Sequence, residues 1–204
     1  MTHDYPVSRE QADLRKAVRF VAIANLAYFG IEFAVAQRIG SVSLFADSID
    51  FLEDTSINVL ILLALGWSAT ARARTGKLLA LVILVPGIAA FWTAIAKFGD
   101  PVAPDALSLT VTGAGAFAVN LVCALRLMKH RHGTGSLTRA AFLSARNDVY
   151  ANAAVIAAGL ITAVTFSFWP DLIVGIGIAI MNADAAKEIW KAAKEEKAQL
   201  EVEP

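Results

Sequence analysis

Six apolar runs dominate this chain, near 20–37, 42–67, 78–98, 106–128, 140–168 and 170–186. A helix needs about 20 predominantly apolar residues to cross the hydrocarbon of a bilayer. The 204 residues therefore predict six crossings joined by short loops, with no room for a soluble domain of ordinary size. A soluble domain of this length could not hide the surface of a chain that is 57% hydrophobic. The reading is an all-α, polytopic membrane protein with three segments. These are a polar N-terminal stretch over 1–16, a six-helix transmembrane domain over 17–186, and a short charged tail over 187–204.

Composition removes several other classes. Eighteen basic and eighteen acidic side chains balance, so no basic face invites nucleic acid. Cys123 is the single cysteine, which excludes an internal disulfide and a thiolate metal cluster; it reads as a packed small side chain. The first 16 residues are too polar to lead as a cleavable signal peptide. Gly113/Gly115 and Gly175/Gly177 lie inside apolar runs and read as points of close helix packing, not as nucleotide loops. Pro86-Gly87 predicts a kink in the third run. Trp169-Pro170-Asp171 predicts a tight turn between the last two, with a tryptophan at the membrane interface.

Lysine and arginine set the orientation. Arg9 to Arg19, Arg72 to Lys77, Arg126 to Arg139 and Lys187 to Lys197 fall on one side of the predicted topology. Only Arg38 and Lys97 fall on the other, and Arg146 lies within a span. The positive-inside rule then places both termini in the cytoplasm, consistent with a cytoplasmic (inner) membrane location. The tail reads as a solvated, charge-paired helical extension.

Acids within the apolar runs carry the functional signal. Glu32 lies in the first, Asp47, Asp50, Glu53 and Asp54 in the second, and Asp148 in the fifth; Arg146 is the one base among them. Ionisable groups at membrane depth are costly and mark functional sites by default. For two of them a plain reading stays open: Asp47 could reach water at the outer end, and Glu32 could pair with Arg146. At about 100° per residue, Asp47, Asp50, Asp54 and Asn58 share an arc of roughly 80°. Two unit charges about 6 Å apart repel by roughly 3 kcal/mol at an effective dielectric near 20. Such a stripe is stable when protonated or when a cation sits between its members.

The fifth span echoes the second. Asp50, Asp54 and Asn58 stand at i, i+4 and i+8, as do Ser144, Asp148 and Asn152. The two helices run in opposite directions, so both half-sites fall near mid-bilayer, as a transporter site requires. On the fifth helix Arg146 points about 160° away from Asp148. It is therefore expected to balance Glu32 or Glu53 and to stay clear of an ion.

The stretch Ser43-Leu44-Phe45-Ala46-Asp47-Ser48-Ile49-Asp50-Phe51-Leu52-Glu53-Asp54 resembles the second helix of the cation diffusion facilitator family. Ser144-Ala145-Arg146-Asn147-Asp148 is similar to its fifth helix, where His or Asp stands four residues before an Asp. The resemblance extends to the six spans, the inside termini and Asp171 at the start of the last helix. It implies a divalent cation held by Asp50, Asp54 and Asp148 and exchanged for protons. Ser144 stands where the fourth ligand belongs; its hydroxyl, Asn147, Asn152 or water could fill that role. Asp47, Glu53 and Asn58 are possible accessory metal or proton groups. The family's cytoplasmic metal-sensing domain is not expected here, so its homodimer would be held by transmembrane surfaces. His130 and His132 lie where some members carry histidine-rich loops, but beside Lys129 and Arg131 they read as ordinary loop residues.

The implied mechanism needs only alternating access. A hydrated ion trades its waters for carboxylates and displaces their protons; after the helices rock, protons compete it off. The metal is substrate, and no permanent cofactor is expected. An oxygen-rich ligand set leans towards manganese, iron or cobalt. The resemblance leans towards zinc, with cadmium, and tetrahedral zinc accepts carboxylates. Calcium and magnesium fit less well. Two other classes share some of these features. A CDP-alcohol phosphotransferase would need Gly where Phe51 stands, an Ala-Arg, and a later pair of acids. A proton-coupled exporter of organic cations would use the aromatics Phe45, Phe51 and Tyr150, but four acids on one helix suit a small divalent ion better.

Overall fold

A computed structural model describes residues 9–64, 88, 91–99, 101–129 and 136–181. Every regular element among them is helical: α1 (Arg9–Ile39), α2 (Val42–Ala64), α3 (91–99), α4 (Ala106–Met128), α5 (Ser136–Thr165) and α6 (Trp169–Met181). Pro86-Gly87, the loop histidines His130 and His132, and the tail 187–204 lie outside the described residues.

Stretches of α1, α4 and α5 (Ala12–Ile39, Ala106–Met128 and Ser144–Thr165) are long and apolar enough to cross a membrane. With 23 residues α2 is also long enough, at about 34 Å for a rise of 1.5 Å per residue. Its acids alone keep it from reading as apolar. Helix α1 packs along α2 and α4, and α5 along α4 and α2. The four close a ring in which α2 and α4 touch only slightly across the diagonal. Large apolar side chains face outwards on α1, α3, α4, α5 and α6, among them Ile23, Phe91, Trp92, Leu107, Val111, Val164, Ile173 and Ile180. Carboxyls and amides point inwards. That inversion of the soluble pattern is stable when the outer solvent is lipid.

Two apolar clusters bracket the polar interior. One, near the α1–α2 turn, gathers Ala36, Leu44, Phe45, Ile49, Leu109, Val155 and Ile178. The other, towards the opposite end, gathers Leu14, Val18, Val21, Ile61, Cys123, Leu127 and Ala145.

The α1–α2 turn is the most fully bonded part of the backbone. Gly40, at φ +62°, takes the left-handed position after α1, and the Ser41 N–H returns to the Ala36 carbonyl at 3.1 Å. That is the Schellman arrangement, which favours glycine because a Cβ there is strained. The Lys97 ammonium of α3 donates to the Gly40 carbonyl at 2.6 Å. Ser41 then caps α2, its hydroxyl oxygen accepting from Leu44 N–H at 3.1 Å. Val42 and Ser43 N–H donate to the buried Asp171 carboxylate of α6 at 2.9 and 3.1 Å. The hydroxyls of Ser41 and Ser43 also donate to Asp171, at 2.6 and 2.7 Å. The donors that a helix start normally leaves orphaned are thus satisfied by one serine and one carboxylate.

The start of α6 departs from the sequence expectation. Trp169-Pro170-Asp171 is not the turn but the first turn of the helix; the connection is 166–168. Proline has no N–H to lose in a first turn and its fixed φ is already helical, so it starts the helix. Phe166, at φ 51°, ends α5 instead, its N–H bonding the Thr162 carbonyl at 2.9 Å. Trp169 is half exposed and meets Phe98 edge-on, with ring centroids 6.3 Å apart. At α4 the exposed Asp105 caps Ser108 N–H at 2.8 Å, which holds its carboxyl below the usual range.

Of the glycines expected at helix contacts, Gly113 lies against Val155 and Gly175 against the first residues of α2, whereas Gly177 meets nothing. A Cβ on Gly175 would stand 2.7 Å from the Ser43 nitrogen and the Val42 carbonyl carbon. Backbone cannot yield there, so Gly175→Ala is expected to push α6 off α2 at a cost of about 1–3 kcal/mol. A lowered thermal midpoint in detergent, with Gly177→Ala unchanged, is the expected result.

Candidate metal centre

Helices α2 and α5 meet at Asp54. Its Oδ1 accepts the Ser144 hydroxyl at 2.9 Å and its Oδ2 accepts the Asn25 amide of α1 at 3.2 Å. The Asp148 carboxyl lies within hydrogen-bonding reach of Asp54, and Asp50 and Asp148 face one another closely enough to repel. The structure therefore brings together Asp50, Asp54, Ser144 and Asp148, the four positions read as ligands. Asp54 is 2% exposed, whereas Asp50, Ser144 and Asp148 are half-buried. The group is closed on the Asp54 side and open on the other.

Among the described residues no three His, Cys, Asp or Glu side chains converge tightly enough to hold one ion as they stand. The central group combines a carboxyl–hydroxyl pair with two further acids, of which Asp148 is within hydrogen-bonding reach of Asp54. Three oxygens from two helices can close around a cation once it supplies the charge that opposes their repulsion.

The remaining candidates divide. Asn58 donates to the Asp54 backbone carbonyl at 2.8 Å and Asn152 to that of Asp148 at 2.6 Å; each bonds one turn back along its own helix. Asn152 also donates to Asp47 Oδ1 at 3.1 Å. Asp47 and Glu32 are fully buried, so Asp47 does not reach water at the outer end. Glu53 is buried beside Asp54. Asn147 is exposed and its Oδ1 accepts from Arg146 at 3.4 Å, so it turns away from the acids.

Arg146 corrects the sequence reading. It was expected to balance Glu32 or Glu53, yet it is exposed and its described partner is Asn147. Among the described residues no basic or amide donor reaches either oxygen of Glu32. Two residues from Asp148 on a helix is the opposite face, and a long guanidinium stem runs along apolar surface more cheaply than it enters an acidic interior.

Asn25 was missed. It is fully buried, holds Asp54, and accepts at Oδ1 from the Cys123 thiol at 3.6 Å, so that packed cysteine also serves as a donor. An amide in an apolar run, seven residues before Glu32 and hence on the same helix face, was the available signal. Asp171 was legible as the start of α6 but not as the anchor of α2.

A family model described as the cation efflux transmembrane domain matches residues 18–195. No curated protein matches the chain at a significant level.

Proposed function

The chain belongs to the cation efflux, or cation diffusion facilitator, family, and from that premise we propose that it exports a divalent transition-metal ion in exchange for protons, around Asp50, Asp54, Ser144 and Asp148. Membership supports transport of a metal cation across the membrane. The observation that carries the finer reading is the contact of Asp54 with Ser144 and Asp148 across the α2–α5 seam, with no ion pair to a base among the described residues.

The ion enters where Asp50, Ser144 and Asp148 reach water and sheds part of its hydration shell to their oxygens. Asp54, already aimed by two hydrogen bonds, is the fixed ligand at the closed end, and Asp50 and Asp148 close upon the ion behind it. Its double charge displaces protons shared among the acids. Opening to the other face lets protons return and release the metal, so the pH gradient drives net export with both termini inside. An oxygen-only set favours manganese, iron or cobalt over softer ions; zinc is the alternative that tetrahedral carboxylate ligation allows. A homodimer held by transmembrane surfaces completes the proposal.

The test is metal flux in proteoliposomes under an imposed pH gradient, comparing manganese, iron, cobalt, zinc and cadmium. Flux that requires the gradient is expected, with protons moving opposite to the metal so that the compartment the metal enters turns more alkaline, and with the fastest ion naming the substrate. Folded protein that moves none of them overturns the proposal.

A further inference from the structure

One helical turn from the central acids, towards the α1–α2 turn, lies a second group of oxygens. Glu32 of α1, Asp47 of α2 and Asn152 of α5 are each 0% exposed. The carboxyls of Glu32 and Asp47 approach within reach of one another. Asn152 is oriented without ambiguity, because its Nδ2 serves both Asp47 Oδ1 and the Asp148 carbonyl; turning the amide over would break both bonds. Its Oδ1 is consequently left without a donor among the described residues.

Among the described residues, both oxygens of Glu32, Oδ2 of Asp47 and Oδ1 of Asn152 are shut from water and meet no donor apart from a proton that the two carboxyls can share. A buried acceptor left unmet costs about 1–3 kcal/mol, and more when charged. A structural polar knot would pair acceptors with donors, yet every unmet atom here is an acceptor. Arg146, the base expected to serve Glu32, is on the outer surface. A divalent cation satisfies all of these atoms together, whereas a proton shared by the two carboxyls still leaves the Asn152 oxygen unmet.

We propose that Glu32, Asp47 and Asn152 form a second cation site, distinct from the central one, which takes a hard divalent ion such as Mn²⁺. Two carboxylates match its charge, and the amide oxygen adds a neutral ligand from a third helix. With no nitrogen or sulfur donor, the site discriminates against cadmium and other soft ions. Its nearness to the central group means that an ion in either place repels one in the other. Two adjacent, mutually repelling stations allow tight capture without trapping the ion.

The test counts Mn²⁺ bound to the purified full chain in detergent, from the loss of the free-ion electron paramagnetic resonance signal. Wild type is expected to bind about two ions per chain and Asp54→Asn/Asp148→Asn about one, by ligand charge and softness. Adding Glu32→Gln, which gives the buried group a donor of nearly the same shape, should abolish that last ion. A double variant that binds nothing, or an ion that survives Glu32→Gln, overturns the second site. If the double variant aggregates on size exclusion, Glu32→Gln alone decides: one ion lost per chain supports the site, and an unchanged count overturns it. Failure of the central site reads differently, as equal counts in wild type and Asp54→Asn/Asp148→Asn.

Discussion

Asp54→Asn is expected to suppress metal flux by at least about a hundredfold, since even loss of a residue behind a metal ligand typically costs 10–100-fold. Asparagine keeps the shape of aspartate, and one of its atoms can still accept, so the helices should stay packed. What it removes is the charge at an acid held by hydrogen bonds from both neighbouring helices. A thermal midpoint within a few degrees of wild type, with flux gone, separates a lost ligand from a lost fold. Asn25→Leu acts one step further back. It leaves every acid in place but frees Asp54 Oδ2, so a loss of about 10–100-fold is expected, mostly in apparent metal affinity. If Asp54→Asn transports normally, the ion does not pass through this group.

Asp171→Ala should produce the largest loss of stability. It strips acceptors from two backbone N–H groups and two serine hydroxyls, all buried. It also removes a negative charge from the positive end of α2. Hydrogen bonds to a charged group are worth about 1.5–3 kcal/mol each but do not add in full, so the expected cost is about 3–5 kcal/mol. Asp171→Asn retains one carbonyl oxygen and should cost roughly half as much. Tryptophan-fluorescence melts in detergent, with size exclusion as the check on aggregation, measure both. A wild-type midpoint in Asp171→Ala would show that the α2–α6 contact does not hold the fold together.

Much of the architecture was legible because lipid imposes simple rules. The run at 106–128 became α4 without adjustment, since apolar length alone specifies a crossing. The i, i+4, i+8 echo placed Ser144 and Asp148 opposite Asp54 because helical period and antiparallel direction leave little freedom. Partner choice was harder to read. Nothing in the order of residues says whether Arg146 turns in towards Glu32 or out along the surface; that depends on which face of a 30-residue helix the ring buries. Asn25 escaped for the same reason, as a single amide whose meaning comes from a neighbour 29 positions away. The Trp169-Pro170-Asp171 misreading came from proline itself, which ends one helix as readily as it begins the next.

The bonding of the α1–α2 turn has a mechanical corollary. With its first residues fastened to α6 and its approach locked by Gly40 and Lys97, α2 is a lever with a fixed fulcrum at Val42. Displacement along a lever grows with distance from the pivot. At 1.5 Å per residue Asp47 stands about 7.5 Å out and Asp54 about 18 Å, so a tilt of about 10° would carry them about 1.3 Å and 3 Å respectively. The same swing that pulls Asp54 away from Ser144 would barely disturb Asp47 beside Glu32 and Asn152. Along one rigid rod, the chain sets a travelling carboxyl and a nearly stationary one.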